Sequence, residues 1–143
     1  MTMKYLFYSI LFVLSTGFIT VNNRSMVQEE IMVLSFRDFF ENDTVTCKIN
    51  NCTILENKVL NSHKVIGFTG VELIINKDKI LMGNSVLKTH CLIDLKNESN
   101  VTVILNGYKE NFKVDLTNGV YIGFSKNGKR TNLIQSRIPF EYD

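Results

Sequence analysis

The 143-residue chain contains no alanine and no tryptophan, and Pro139 is its single proline. Alanine is the strongest helix former. Its absence leaves the apolar fraction to Ile, Val, Leu and Phe, residues that pack best on pleated strands. This composition argues against a helical bundle or a coiled coil. An excess of either charge is also missing, since 16 basic residues against 14 acidic ones give a formal net charge of +2. A strongly basic nucleic-acid binder is therefore not indicated. Apolar residues run through the whole chain, which excludes wholesale disorder, and the length allows one domain.

Catalytic signatures are missing as well. There is no Gly-x-Ser-x-Gly, no His-Glu-x-x-His and no phosphate-cradling glycine loop. His63 and His90 are isolated, and neither stands at ligand spacing from a cysteine pair, so no metal and no cofactor is implied. Asp94 with Glu98, and Asp38 with Glu41, read as solvated charges on strands and turns. The expectation is a binding protein, not an enzyme.

Residues 1–20 read as a secretory signal peptide. Lys4 supplies the positive start and Tyr5 to Leu14 an apolar run broken by Ser9. Ser15 and Gly17 offer small residues for cleavage. The run is shorter than the roughly 20 apolar residues a membrane span needs. The mature domain is expected at residues 21–143, secreted and extracellular, with no membrane contact after cleavage. Export makes five Asn-x-Ser/Thr sequons candidate glycosylation sites: Asn23, Asn42, Asn51, Asn97 and Asn100. It also leaves an odd cysteine. Cys47 and Cys52 flank a four-residue turn and could close a small disulfide loop. Cys91, beside Leu92 and Ile93, reads as a buried inert thiol.

About eleven short β-type runs alternate with polar turns, from Ile31–Leu34 to Ile134–Phe140. They include Asp38–Phe40, Lys64–Phe68 and His90–Leu95. Three segments share a form: Phe36 to Thr44, Val71 to Lys79, and Val120 to Gly128. Each carries an apolar strand followed by Asp or Asn where a hairpin turn belongs. Three hairpin-bearing repeats of about 40 residues suggest an all-β fold, specifically a β-trefoil. The expected core is Phe36, Phe39, Val45, Ile66, Leu73, Ile75, Leu81, Cys91, Leu92, Leu105, Ile122, Phe124 and Phe140.

The central segment resembles the fibroblast growth factor family. That family's Gly-x-x-Leu-x-x-Asn-x-x-Gly-x-Leu-Tyr-x-Ser run, with a cysteine ten residues after the second Leu, is matched by Gly70, Leu73, Asn76, Leu81 and Met82, then Cys91-Leu92-Ile93. Phe36 to Val45 resembles the family's early strand and turn. Tyr121 to Gly128 resembles a later one, and Gln135 to Phe140 the closing segment. Lys79, Asn84 and His90 depart from the pattern, and the receptor-contacting tyrosines are absent around Asn100. The closing Leu-Pro-Leu is replaced by Glu141-Tyr142-Asp143. The Lys-, Asn- and Ile-heavy composition suits a gene carried by a large DNA virus.

The resemblance implies a growth-factor-like ligand for a receptor tyrosine kinase ectodomain, with heparan sulfate as co-ligand. Asn100 is then the candidate receptor contact. Lys126, Asn127, Lys129, Arg130, Gln135 and Arg137 are the candidate heparin-binding residues. They fall in a stretch, Val120 to Arg137, that has four basic residues and no acidic one. Two alternatives stand beside this: a non-signalling decoy or sequestering module on the same fold, and an immunoglobulin-like sandwich. The second would join Cys47 to Cys91 across two sheets, though it lacks the core tryptophan.

Overall fold

The computed structural model describes residues 31–77 and 79–141. The expected signal peptide, the Asn23 sequon and Asp78 lie outside the described residues. Ten strands and one short 3-10 turn make the described residues all-β, as the composition predicts. Among the described residues no helix is long and apolar enough to cross a membrane.

The strands divide into two sheets, and no barrel closes among them. In chain order they are β1 (Ile31–Phe36), β2 (Asp43–Ile49), β3 (Cys52–Leu60), β4 (Val71–Asn76), β5 (Ile80–Met82), β6 (Ser85–Leu87), β7 (Glu98–Leu105), β8 (Tyr108–Asp115), β9 (Tyr121–Asn127) and β10 (Arg130–Ser136). The six-stranded sheet has the order β10-β9-β1-β4-β5-β6, and the four-stranded sheet β3-β2-β7-β8. β1 pairs antiparallel with β4 but parallel with β9. As a central strand it tolerates a near-continuous apolar sequence, Ile-Met-Val-Leu-Ser-Phe.

Alternation sets which face is buried. Val45, Cys47 and Ile49 point inward on β2, while Thr44, Thr46 and Lys48 are half-buried between them. One buried cluster draws on both sheets, including Leu34, Phe36, Leu73, Ile75, Ile122 and Phe124 from one and Val45, Ile49, Val101, Val103 and Leu105 from the other. Phe112 of β8 reaches Phe124 of β9 at 5.2 Å between ring centroids, and Phe36 lies 5.9 Å from both Phe40 and Phe124. Such ring contacts add roughly 1 kcal/mol each beyond their burial.

Tight turns fix the register. Asn50-Asn51 joins β2 to β3 and Asn106-Gly107 joins β7 to β8, all four residues at positive φ. Two successive positive φ values are the signature of the hairpin turn whose twist matches the strands it joins. β9 and β10 are closed by Gly128-Lys129, with Gly128 at φ 62°.

Several expectations need correction. The Val71–Lys79 and Val120–Gly128 repeats do form hairpins with the strands that follow. Phe36 to Thr44 does not: it leaves β1 and crosses to β2 in the other sheet. Asp38–Phe40 belongs to this crossover. Phe39 adopts φ 71° there and is 72% exposed, while its neighbour Phe40 takes the core position. Lys64–Phe68 is a turn held by a single bridge between His63 and Phe68, so Ile66 is exposed. His90–Leu95 forms no ladder. Ile93 and Leu95 are buried, but Leu92 is 92% exposed. Leu81 and Phe140 are half-buried on the outer face.

The cysteines also pair differently. Cys52 is bonded to Cys91, and Cys47 is the buried free thiol. Cys91 is exposed because the irregular segment that carries it lies outside the ladders. Neither the small Cys47–Cys52 loop nor the Cys47–Cys91 bond of an immunoglobulin-like domain forms.

Candidate functional site

β1 and β9 run in the same direction and β2 runs back. One end of the molecule therefore carries Phe36, Asp43 and Asn127, and the other Ile31, Ile49 and Asn76. The six candidate sulfate-binding residues divide between these ends. Asn127, Lys129 and Arg130 are exposed together at the tip of the β9–β10 hairpin. Gln135 and Arg137 lie at or beyond the far end of β10, which spans about 20 Å at ~3.4 Å per residue.

Three of the six are already engaged. Lys126 Nζ donates to both carboxylate oxygens of Asp43, at 3.0 and 2.9 Å. Asp43 is 3% exposed and also accepts from Asn106 Nδ2 and from the Glu41 backbone N–H, each at 2.7 Å. Burial alone pushes this carboxyl up. The Lys126 bond, the Glu41 and Asn106 bonds and the Lys126 charge outweigh it, so its pKa is lowered. Lys126 is thus a structural cation. Gln135 Nε2 donates to the carbonyls of Asp115 and Gly119, at 2.6 and 2.7 Å, and fastens β10 to the 3-10 turn at Leu116–Asn118. Arg137 donates to the Thr117 carbonyl at 3.4 Å.

The Asp43 contacts bring a second hairpin beside the first. Asn106 Oδ1 accepts from the Thr44 N–H at 2.8 Å, and Asn106 N donates back to the Thr44 carbonyl. Glu110 of β8 accepts from the Thr131 N–H and hydroxyl, at 2.6 and 2.8 Å. These bonds set the β7–β8 tip against the β9–β10 tip. A cleft of about 580 Å³ opens between them, lined by Leu105, Asn106, Gly107, Tyr108, Lys126, Gly128 and Lys129. Tyr108 is 47% exposed, and Lys109 is exposed beside it.

No protein-family model, no curated protein and no solved structure matches the chain. Its chemistry has to be read from the arrangement itself. Lys126, Lys129 and Tyr108 line the cleft, and Lys109, Asn127 and Arg130 are exposed next to them along the two hairpins. Of the nearby acids, Glu110 is occupied by Thr131, while Glu41 is exposed beside Asp43. The exposed ammonium of Lys129 at the cleft can pair with an anionic group. The cleft offers no paired nucleophile and base.

Asn100 lies at the other end, at the start of β7. It is exposed, and its backbone is tied to Asn50 through Asn50 N to Asn100 O at 2.9 Å and Asn100 N to Asn50 Oδ1 at 2.8 Å. It is therefore not brought together with the basic tip. Asn51, Asn97 and Asn100 are exposed around that same end, and Asn42 is exposed near the basic end. Asp94 pairs with Lys96 at 2.9 Å, and Asp38 accepts from Ser125.

Sequence reasoning missed Tyr108, Lys109 and the Asp43 hub. The Asn106-Gly107 dipeptide was the available signal, because Asn-Gly between apolar runs marks a hairpin tip. The Asp43–Lys126 pair spans 83 residues and left no local trace.

Proposed function

We propose that the chain is a secreted, non-catalytic ligand that binds heparan sulfate at its paired hairpin tips and engages a receptor tyrosine kinase ectodomain through a separate surface. The carrying observation is the cleft between two locked hairpins, lined by Lys129 and Tyr108, with Lys109 and Arg130 exposed on the same hairpins. A polyanion gains from several cations held in fixed geometry, because little side-chain order is lost on binding. The growth-factor part of the reading, and the β-trefoil that goes with it, rest on the resemblance in residues 34–140. The hairpins at Val71–Lys79 and Val120–Gly128 support it.

A second reading is favoured by a specific observation. The parallel β1–β9 pair and the two-sheet division support a sandwich-like sequestering module. Asn100 belongs to a sequon and sits three residues from another, so a glycan there would cover the receptor contact. Under this reading the protein binds its target without signalling.

Cells bearing the receptor, exposed to the purified secreted chain with heparin, separate the two. Receptor phosphorylation supports the signalling ligand. Binding without phosphorylation supports sequestration. Absence of binding to both receptor and heparin would overturn the proposal.

A further inference from the structure

A second cleft, of about 320 Å³, lies at the end opposite the hairpin tips. Its walls are Lys77 and Lys79 from the β4–β5 turn and Thr89, His90, Cys91 and Leu92 from the irregular segment. Ile80 and Ile93, both buried, form its floor. Bonds of the described residues tie both walls to the sheets. Asn76 and Lys79 close the turn reciprocally, with Lys79 N to Asn76 Oδ1 at 2.9 Å and Asn76 N to Lys79 O at 3.0 Å. The facing wall is bonded to β3 through Cys52–Cys91, and Thr89 Oγ1 donates to the Cys91 carbonyl at 2.9 Å.

The charge is one-sided. Residues 77–90 carry three lysines and His90 against one acid, Asp78, which lies outside the described residues. Among the described residues no carboxylate lines the cleft. Its apolar part is equally distinct. Leu92 is 92% exposed at the rim, which removes it from the core and leaves its side chain without a packing role. An isolated exposed Leu is ordinary. A fully exposed Leu on a disulfide-fixed wall, beside two ammonium groups and above an apolar floor, has the mixed chemistry of a peptide-recognition surface.

We propose that this cleft is a second binding site, which takes an extended acidic peptide segment of a protein partner. Lys77 and Lys79 pair with its carboxylates, and Leu92 packs against an apolar side chain next to them. A polysaccharide would use the lysines but gain nothing from Leu92 or the isoleucine floor. The proposal is independent of the hairpin-tip reading, because no residue is shared between the two clefts.

The test uses the full secreted chain and a fluorescein-labelled Glu-Leu-Glu-Leu-Glu-Leu-Glu peptide, followed by anisotropy. A second peptide replaces each Leu with Ser. The wild-type chain is expected to bind the Leu peptide saturably and the Ser peptide at least fivefold more weakly. Lys77→Glu/Lys79→Glu should weaken the Leu peptide tenfold or more. Leu92→Ser, at a fully exposed position that leaves the fold intact, should weaken the Leu peptide severalfold and leave the Ser peptide unchanged. Lys113→Glu, an exposed charge on β8, should change neither. Three results overturn the proposal: no saturable binding by the wild type, equal loss with Lys113→Glu, or displacement of the peptide by a heparin hexasaccharide in the Leu92→Ser and wild-type chains alike.

Discussion

Lys126 grips both oxygens of Asp43, and this one ion pair joins the β9–β10 hairpin to the start of β2. Asp43 in turn holds Asn106 at the tip of the β7–β8 hairpin. A residue that looks like part of a sulfate-binding surface thus builds the surface instead. Asp43→Asn leaves a partly buried ammonium without its partner and should destabilise the fold by about 3 kcal/mol, near the lower bound for broken buried pairs because Lys126 keeps some access to water. Urea unfolding measures this.

The same pair sets a pH response. The folded pKa of Asp43 is lowered below its ordinary 3.8. Its contribution is therefore fully present above that ordinary value and is lost as pH falls through the folded one. Wild-type stability should drop on acidification below about pH 4. The drop should be shallower in Asp43→Asn, which has no proton to take up at this site.

Thiol chemistry should distinguish the three cysteines. Burial pushes the Cys47 thiol up to about 12, so it should stay unreactive toward a disulfide reagent at neutral pH and react once in denaturant. Removing the Cys52–Cys91 bond as Cys52→Ser/Cys91→Ser releases a constraint across 39 residues of sequence. The loss should be about 2–4 kcal/mol, read from the unfolding midpoint.

Two glycines at positive φ should respond differently to alanine. At Gly119 an added Cβ would lie against the Ser136 carbonyl, within the backbone itself. Gly119→Ala should unfold the far end of β10 and lower the melting temperature sharply. At Gly128, φ 62°, nothing stands within 4 Å of an added Cβ. Gly128→Ala should cost about 1 kcal/mol, the backbone penalty alone.

The alternating strands were the legible part of this fold. β2, β4 and β7 place Val45, Leu73 and Val101 inward at a period of two, and that pattern is visible in sequence. β3 was missed because its Glu56-Asn57-Lys58 stretch is polar and borders a bulge opposite Val45 to Cys47 on an edge strand. His90 to Leu95 alternates like a strand, yet it is held by Cys91 and by Asn50 Nδ2 on the Asp94 carbonyl, not by a ladder. The parallel β1–β9 pairing joins residues 88 apart, Val33 with Tyr121, and no local pattern encodes it. For the site, Asn127, Lys129 and Arg130 were legible as a basic turn. The opposing Tyr108 and Lys109 depend on how two hairpins pack. The engagement of Lys126 and Gln135 depends on partners distant in sequence.

Heparin-column chromatography of the secreted chain tests the central claim most directly. The wild type should be retained above physiological salt, roughly 0.15 M, and Lys129→Ala/Arg130→Ala should elute at clearly lower salt with its melting temperature unchanged. Elution of both forms below physiological salt, or at the same salt, would contradict the account.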